Sequence, residues 1–210
     1  MRRLVAVSSA RTVKAGTVLA RVGFHPSKVI VVQDGELELS VRTRAGRRIV
    51  ALVRAGGVIA DVPALCGTPM QLDAIAIRDS RVIEVDPERL IALLRSSPEL
   101  SLRWIRSLAW RLLASQRHAL ALLREGLPAQ VAAVLLLEQE TDGDGYPKVQ
   151  LSQEAIARLL GASRQSVSRI LSGWRARGVV RTGYRSILLL DPQALTTIAG
   201  IGPVTGRTQR

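Results

Sequence analysis

Leu151-Ser-Gln-Glu-Ala-Ile-Ala-Arg-Leu-Leu-Gly-Ala-Ser-Arg-Gln-Ser-Val-Ser-Arg-Ile-Leu-Ser-Gly-Trp-Arg-Ala-Arg-Gly178 is the stretch on which the reading of this chain turns. Ser152 stands where a hydroxyl caps a helix, Glu154 falls in the first turn, and Ile156, Leu159 and Leu160 form an apolar stripe that Gly161 ends. Ser163 caps a second helix with Val167, Ile170, Leu171 and Trp174 on its inward face and Gly178 as its stop. The opposite face carries Arg164, Gln165, Ser168, Arg169 and Ser172, a continuous polar stripe with no acid in it. A merely solvated helix mixes acids with bases, whereas two cations, an amide and small hydroxyls suit base edges in a major groove. Two short helices around a three-residue joint are therefore expected to form a helix-turn-helix.

Working outward, residues 179–190 read as a β-hairpin turning at Thr182-Gly183, a wing. Between residues 150 and 190, Arg158, Arg164, Arg169, Arg175, Arg177, Arg181 and Arg185 face Glu154 alone, a local charge of +6. Arg181 and Arg185 join Ser152, Ser163, Arg164, Gln165, Ser168 and Arg169 as the expected DNA contacts. The whole chain agrees, because a net charge of +13 on 210 residues points to a polyanionic partner, double-stranded DNA before an acidic membrane. Arginine dominates, with lysine only at Lys14, Lys28 and Lys148; guanine recognition and a genome rich in G and C both produce that bias.

Toward the N-terminus, β-branched runs at residues 29–32, 37–41, 49–53, 75–77 and 82–85 alternate with turn signals at Asp34-Gly35, Ala45-Gly46 and Gly56-Gly57. That spacing argues for an antiparallel barrel or sandwich. At Asp86-Pro87 the pattern becomes helical, with Asp86 expected as cap, and a second start follows at Ser97-Pro98. Residues 99–125 contain no Pro or Gly and permit one helix of about 25 residues. Along it Ile105, Leu108, Leu112, Ser115, Ala119 and Leu122 recur at alternating three and four, a coiled-coil seam read as a homodimer interface. Gly126 and Pro128 then make a hinge, residues 129–140 start a second helical unit, 141–147 read as a loop, and 200–210 as a frayed tail. The expected class is α+β: a β-roll over 1–97, a dimerisation helix over 98–126 and a winged helix-turn-helix over 127–210.

Composition excludes several alternatives. One cysteine, Cys66, cannot build a disulfide framework, an iron-sulfur cluster or a zinc ribbon, and with no cation beside it in sequence it reads as inert. His25 and His118 are the only histidines, so neither a metal nor another cofactor is expected. With no nucleophile-base signature and no glycine-rich nucleotide loop, the chain does not read as an enzyme; Asp61 and Asp73 are the one acidic pair to consider. The apolar run at 131–137 is far short of a membrane span and the one at 4–7 too short for a signal peptide, which favours a cytoplasmic protein without a membrane partner.

A glycine-punctuated β-roll, a long helix, a hinge and a winged helix-turn-helix together resemble the cyclic AMP receptor protein and fumarate-nitrate reduction regulator (CRP/FNR) family of bacterial transcription factors, over about residues 12–192. The most specific piece is Ser163-Arg-Gln-Ser-Val-Ser-Arg-Ile-Leu171, which looks like the family's recognition helix, where Ser-Arg-Glu-Thr-Val-x-Arg-x-Leu is common. The resemblance implies that Arg164 and Arg169 contact guanines, that Ser152 and Ser163 hold phosphates, and that RNA polymerase is a further partner. Gln165 departs from the family's Glu: a carboxylate accepts from cytosine N4, whereas an amide pairs with adenine N6 and N7, so one base pair of the half-site is expected to change.

The effector pocket implied by the resemblance departs further. Ala60-Asp61 stands where the family has Gly-Glu, and after Gln71, Leu72-Asp73 stands where it has the phosphate-clamping Arg-Ser. A buried phosphodiester needs a countercharge, yet residues 55–77 hold no Lys or Arg and two carboxylates. Ser115 and Gln116 match positions that touch the nucleotide base in cyclic-AMP-binding members, and they also suit a small seam residue beside a polar flank. Weak or no cyclic AMP binding is expected, with the effector unassigned. Three other possibilities stay open: a constitutive regulator with a scaffold β-roll, a cyclic-AMP-responsive regulator with a divergent pocket, and a non-specific architectural DNA-binding protein.

Overall fold

The computed structural model describes residues 8–44, 46–141, 145 and 147–201; Ala45 of the second turn signal, the apolar stretch at 4–7, most of the 141–147 loop and nearly all of the expected tail lie outside them. Its contacts divide the chain into two compact units, 1–108 and 109–210.

The first unit is an antiparallel β-roll. One sheet has the order β1 (Ser8–Val13), β8 (Ser80–Val85), β3 (Val29–Asp34), β6 (Val58–Ile59), and the other β2 (Val18–Ala20), β7 (Asp73–Ala76), β4 (Glu36–Thr43), β5 (Gly46–Arg54). The uninterrupted apolar run in β3 has a direct cause: both of its faces are covered. Ile30 and Val32 pack with Val13, Leu37, Ile59 and Val82, while Val29 and Val31 pack with Ile83, Val85, Leu90 and Trp104. Gly35 turns β3 into β4 at φ 97°, and an added Cβ would lie 2.1 Å from Ser80 Oγ, so both backbone sign and space demand glycine there.

Helix α1 (Asp61–Cys66), absent from the sequence reading, follows β6. Helix α2 (Pro87–Ser96) starts at the expected proline, but Asp86 does not cap it. Its carboxylate instead takes Lys28 Nζ at 2.5 Å, and that bond holds its pKa below the ordinary value. Helix α3 runs Pro98–Leu122. In its first turns Trp104 packs into the β-roll core and its indole Nε1 donates to the buried Asp61 at 3.1 Å. Leu108 packs against the same cluster and is half-buried, while the other residues of the expected seam, Ile105, Leu112, Ser115, Ala119 and Leu122, are exposed. A second three-and-four repeat, Leu102, Ile105, Ala109, Leu112, Gln116 and Ala119, is exposed throughout, with Ile105 60% and Leu112 61% exposed.

In the second unit, Gly126 (φ 80°) precedes α4 (Leu127–Leu137), whose Val131 to Leu135 stretch is wholly buried. The helix ends before residues 139–140, which enter strand β9 (Gln139–Thr141) and pair with β10 (Pro147–Val149). Thr141 and Pro147, the end residues of the expected loop, are thus paired strand residues. Helices α5 (Gln153–Leu160) and α6 (Arg164–Ala176) follow, then β11 (Val180–Gly183), β12 (Ser186–Leu189) and α7 (Pro192–Ile198), the sheet order being β11-β12-β10-β9. Helix α7, also absent from the sequence reading, is capped by Asp191, which accepts from the Ala194 amide at 2.9 Å. Among the described residues no helix is long and apolar enough to cross a membrane.

His118 of α3 is half-buried between two acceptors, the Ala114 carbonyl and a Glu138 oxygen, each 3.0 Å from a different ring nitrogen. Only the imidazolium donates to both, and the Glu138 bond raises the pKa of His118 above its ordinary 6.5. Its contribution to stability is therefore complete below that value and is lost as pH rises through the elevated pKa. Thermal denaturation between pH 6 and 9 should show a fall in Tm that shrinks in His118→Gln, which keeps a donor and cannot titrate; identical pH profiles would contradict the assignment.

Candidate nucleic-acid interface

The two capped helices form where the sequence places them. Ser152 Oγ accepts from the Ala155 amide at 3.1 Å, starting α5, and Gly161 ends it in the left-handed conformation at φ 65°. Two residues after Gly161, Ser163 Oγ accepts from the Ser166 amide at 3.1 Å, starting α6. Capping uses these oxygens as acceptors and is compatible with each hydroxyl donating its proton to a phosphate. Val167, Leu171 and Trp174 are buried, as expected, each contributing about 1.5–3 kcal/mol by leaving water. That burial fixes the roll of α6 about its axis, so Arg164, Gln165, Arg169 and Ser172 stand exposed on the outer face with Ser168 half-buried beside them.

The wing is present, with its turn moved. Gly183 pairs with Ser186 inside the ladder, so Tyr184 and Arg185, not Thr182 and Gly183, make the turn. Arg181 and Arg185 are exposed, as is Tyr184, at 93%. Tyr184 was missed because Gly183 draws the turn toward itself; the signal that finds it is register, since β12 residues Ile187 and Leu189 must both face inward. A cleft of about 280 Å³ lies between the wing and the two helix starts, lined by Ser152, Gln153 and Arg164 on one side and Tyr184 and Arg185 on the other, with Glu154 its one carboxylate.

The residues expected to make a degenerate effector pocket are mostly occupied within the fold. Ala60 is buried at φ 69°. Asp61 is 1% exposed and accepts from Trp104, while Asp73 accepts from the Val22 amide at 3.0 Å. Gln71 is exposed and donates to the Pro69 carbonyl, and Leu72 is half-buried. Ser115 and Gln116 are exposed on α3. Of the residues considered for other chemistry, His25 is exposed, His118 is bound to Glu138, and Cys66 is exposed at the end of α1.

A β-roll, a long helix and a winged helix-turn-helix with a basic reading face define a DNA-binding transcription regulator. Residues 10–97 match the family described as cyclic nucleotide-binding domain, and residues 129–198 the Crp-like helix-turn-helix domain. The HTH-type transcriptional regulator Cmr of Mycobacterium tuberculosis is 32% identical over 178 residues, 83% of this chain and 71% of that one. The CRP-like cAMP-activated global transcriptional regulator of the same organism is 28% identical over 185 residues, 85% and 82% of the two chains. Among solved structures, a CRP-family transcriptional regulator from Thermus thermophilus superimposes with a TM-score of 0.71 at 25% identity, covering 90% of this chain and 96% of that one. FixK2 from Bradyrhizobium japonicum, 24% identical with a TM-score of 0.78 over 91% and 97%, shares the fold. The chain belongs to the CRP/FNR family of transcription regulators. Its relatives are regulators rather than enzymes.

Proposed function

We propose that the protein is a homodimeric, sequence-specific regulator that binds a palindromic DNA site and is not governed by cyclic AMP. The observation that carries this reading is the exposed, acid-free face of α6, held outward by the burial of Val167, Leu171 and Trp174. Residues 1–97 serve as the sensor-like domain, 98–126 as the dimerisation helix and 127–210 as the DNA-binding domain. Two copies pairing along the exposed repeat of α3 would set two recognition helices about 34 Å apart, in successive major grooves. Arg164 and Arg169 read guanines, Gln165 reads an adenine, and Ser152, Ser163, Ser168, Arg181 and Arg185 hold the register of the duplex. Family membership supports RNA polymerase as a further partner and a cytoplasmic location.

Independence from cyclic AMP is supported by the stretch 55–77, which offers a phosphodiester two carboxylates and no cation, both carboxylates being engaged inside the fold. The test is binding-site selection from random duplexes with and without cyclic AMP at fixed salt. A palindrome recovered without nucleotide supports the reading; a palindrome recovered only with cyclic AMP overturns the effector part, and no preferred sequence favours an architectural protein. Run with Gln165→Glu, the same selection should return the family's common TGTGA half-site, the native chain preferring a different base pair at one position by roughly tenfold or more.

A further inference from the structure

Residues 21–28 connect β2 to β3 and wrap a cavity of about 350 Å³ on the β-roll. The connection is pinned through its backbone. The Val22 amide donates to Asp73 Oδ1 at 3.0 Å, the Gly23 amide to the Met70 carbonyl at 2.9 Å, and the Met70 amide to the Phe24 carbonyl at 2.9 Å. Phe24, the one phenylalanine of the chain, is thereby held 68% exposed at the cavity, although an apolar ring of that size ordinarily leaves water. Val18 and the buried Met70 also line it. The ionisable side chains of the lining are Arg21, His25 and Lys28, with no carboxylate beside them. Among the described residues the Arg21 guanidinium has no ion pair, while Lys28 Nζ is taken by Asp86 at 2.5 Å.

A preformed apolar wall next to an unpaired guanidinium suits a small molecule with an acidic head and a hydrocarbon body. Charge narrows the head: Arg21 and Lys28 together meet one carboxylate, Asp86, an excess that matches a single negative charge and not a doubly charged phosphate monoester. We propose that this cavity is an effector site for a short alkyl carboxylate, its head paired with Arg21 and Lys28 and its chain lying on Val18, Phe24 and Met70. Lys28 also supplies a route out of the site. Asp86 stands at the start of α2 with extended backbone, φ −64° and ψ 134°, and makes no capping bond. A carboxylate that takes Lys28 releases Asp86 Oδ1 to accept from the first turn of α2. Leu90 of α2 packs with Trp104 of α3, so a change at that turn reaches the long helix. The site stands on the β-roll alone; its effect on DNA binding rests on the regulator reading above.

The experiment is calorimetric titration of the full chain with hexanoate, beside acetate for the head alone, hexanol for the chain alone and hexyl phosphate for the dianion. Hexanoate should bind with a Kd of roughly 0.1–1 mM, ordinary for a molecule of its size, and the others at least about tenfold more weakly. Arg21→Gln and Phe24→Ala, both at exposed side chains, should each weaken hexanoate about tenfold with Tm unchanged. On the selected palindrome, hexanoate should shift the affinity of the native chain by about fivefold or more. Asp86→Asn keeps a capping oxygen and gives up the charge that holds Lys28, so without hexanoate it should show the affinity that the native chain reaches with it. No saturable hexanoate binding, or binding untouched by Arg21→Gln, overturns the site, and tighter binding of hexyl phosphate overturns its head group. Hexanoate binding that leaves DNA affinity unmoved overturns the route through Asp86. A native chain that binds hexanoate but prefers no half-site overturns the regulator reading and leaves the site standing.

Discussion

Leu112→Glu should convert the protein from dimer to monomer and lower its affinity for a palindromic duplex by roughly a hundredfold or more, because linked half-sites gain about 10² to 10⁴ in avidity. Leu112 is 61% exposed at the centre of the α3 repeat, so the isolated chain loses no core packing when it becomes charged. Two carboxylates facing each other across an apolar seam would be buried together without a partner, a cost of several kcal/mol that a coiled-coil seam of this length does not offset. Sedimentation equilibrium and circular dichroism decide the matter together: unchanged helicity with a halved mass is expected, and a variant that stays dimeric would remove α3 from the interface. Leu108→Glu is the informative contrast. Leu108 packs with Leu90 and Trp104, so its replacement should destabilise the β-roll itself.

Arg169→Ala should leave the melting temperature unchanged and weaken binding to the selected palindrome by roughly thirtyfold or more, taking about 1–3 kcal/mol for each half-site. The side chain is exposed on α6 one turn beyond Gln165, and truncating it opens no cavity. The loss should be confined to duplexes that carry the native base pair at one position, with preference relaxed there. Arg175→Ala should behave differently, weakening all duplexes alike and reducing the salt slope by about one, as a phosphate contact does. A uniform loss in Arg169→Ala, measured by fluorescence anisotropy on matched and substituted duplexes, would reassign it from base reading to backbone contact.

The helix-turn-helix was legible in the sequence because each of its determinants is local. Ser152 and Ser163 cap amides three residues away, Gly161 ends α5 where it stands, and the inward stripe of α6 repeats within one helix. What escaped is what distant partners decide. Asp86 gives up its cap to Lys28, 58 residues away. Strands β9 and β10 are three residues each and exist by pairing with one another and, for β10, with β12. The α3 repeat is ambiguous in sequence because Leu108 and Ala109 both continue a three-and-four pattern from Ile105. The β-roll core draws in Leu108, which a repeat within one helix does not reveal. In the candidate pocket, composition revealed the missing cation, but not that Trp104, 43 residues from Asp61, already satisfies one of the carboxylates.

The bond from Trp104 to Asp61 bears on how such a chain can be recombined. The β-roll draws its last core residues from the opening turns of α3, so a genetic exchange at the Asp86-Pro87 composition change would part Asp61 from Trp104, and Val29, Val31, Ile83 and Val85 from Leu90, Trp104 and Leu108. A crossover beyond Leu108 keeps that core whole, and different DNA-reading ends can then be joined to one β-roll without refolding it. Breakpoints tolerated by this lineage are therefore expected inside the long helix, not at either of its ends.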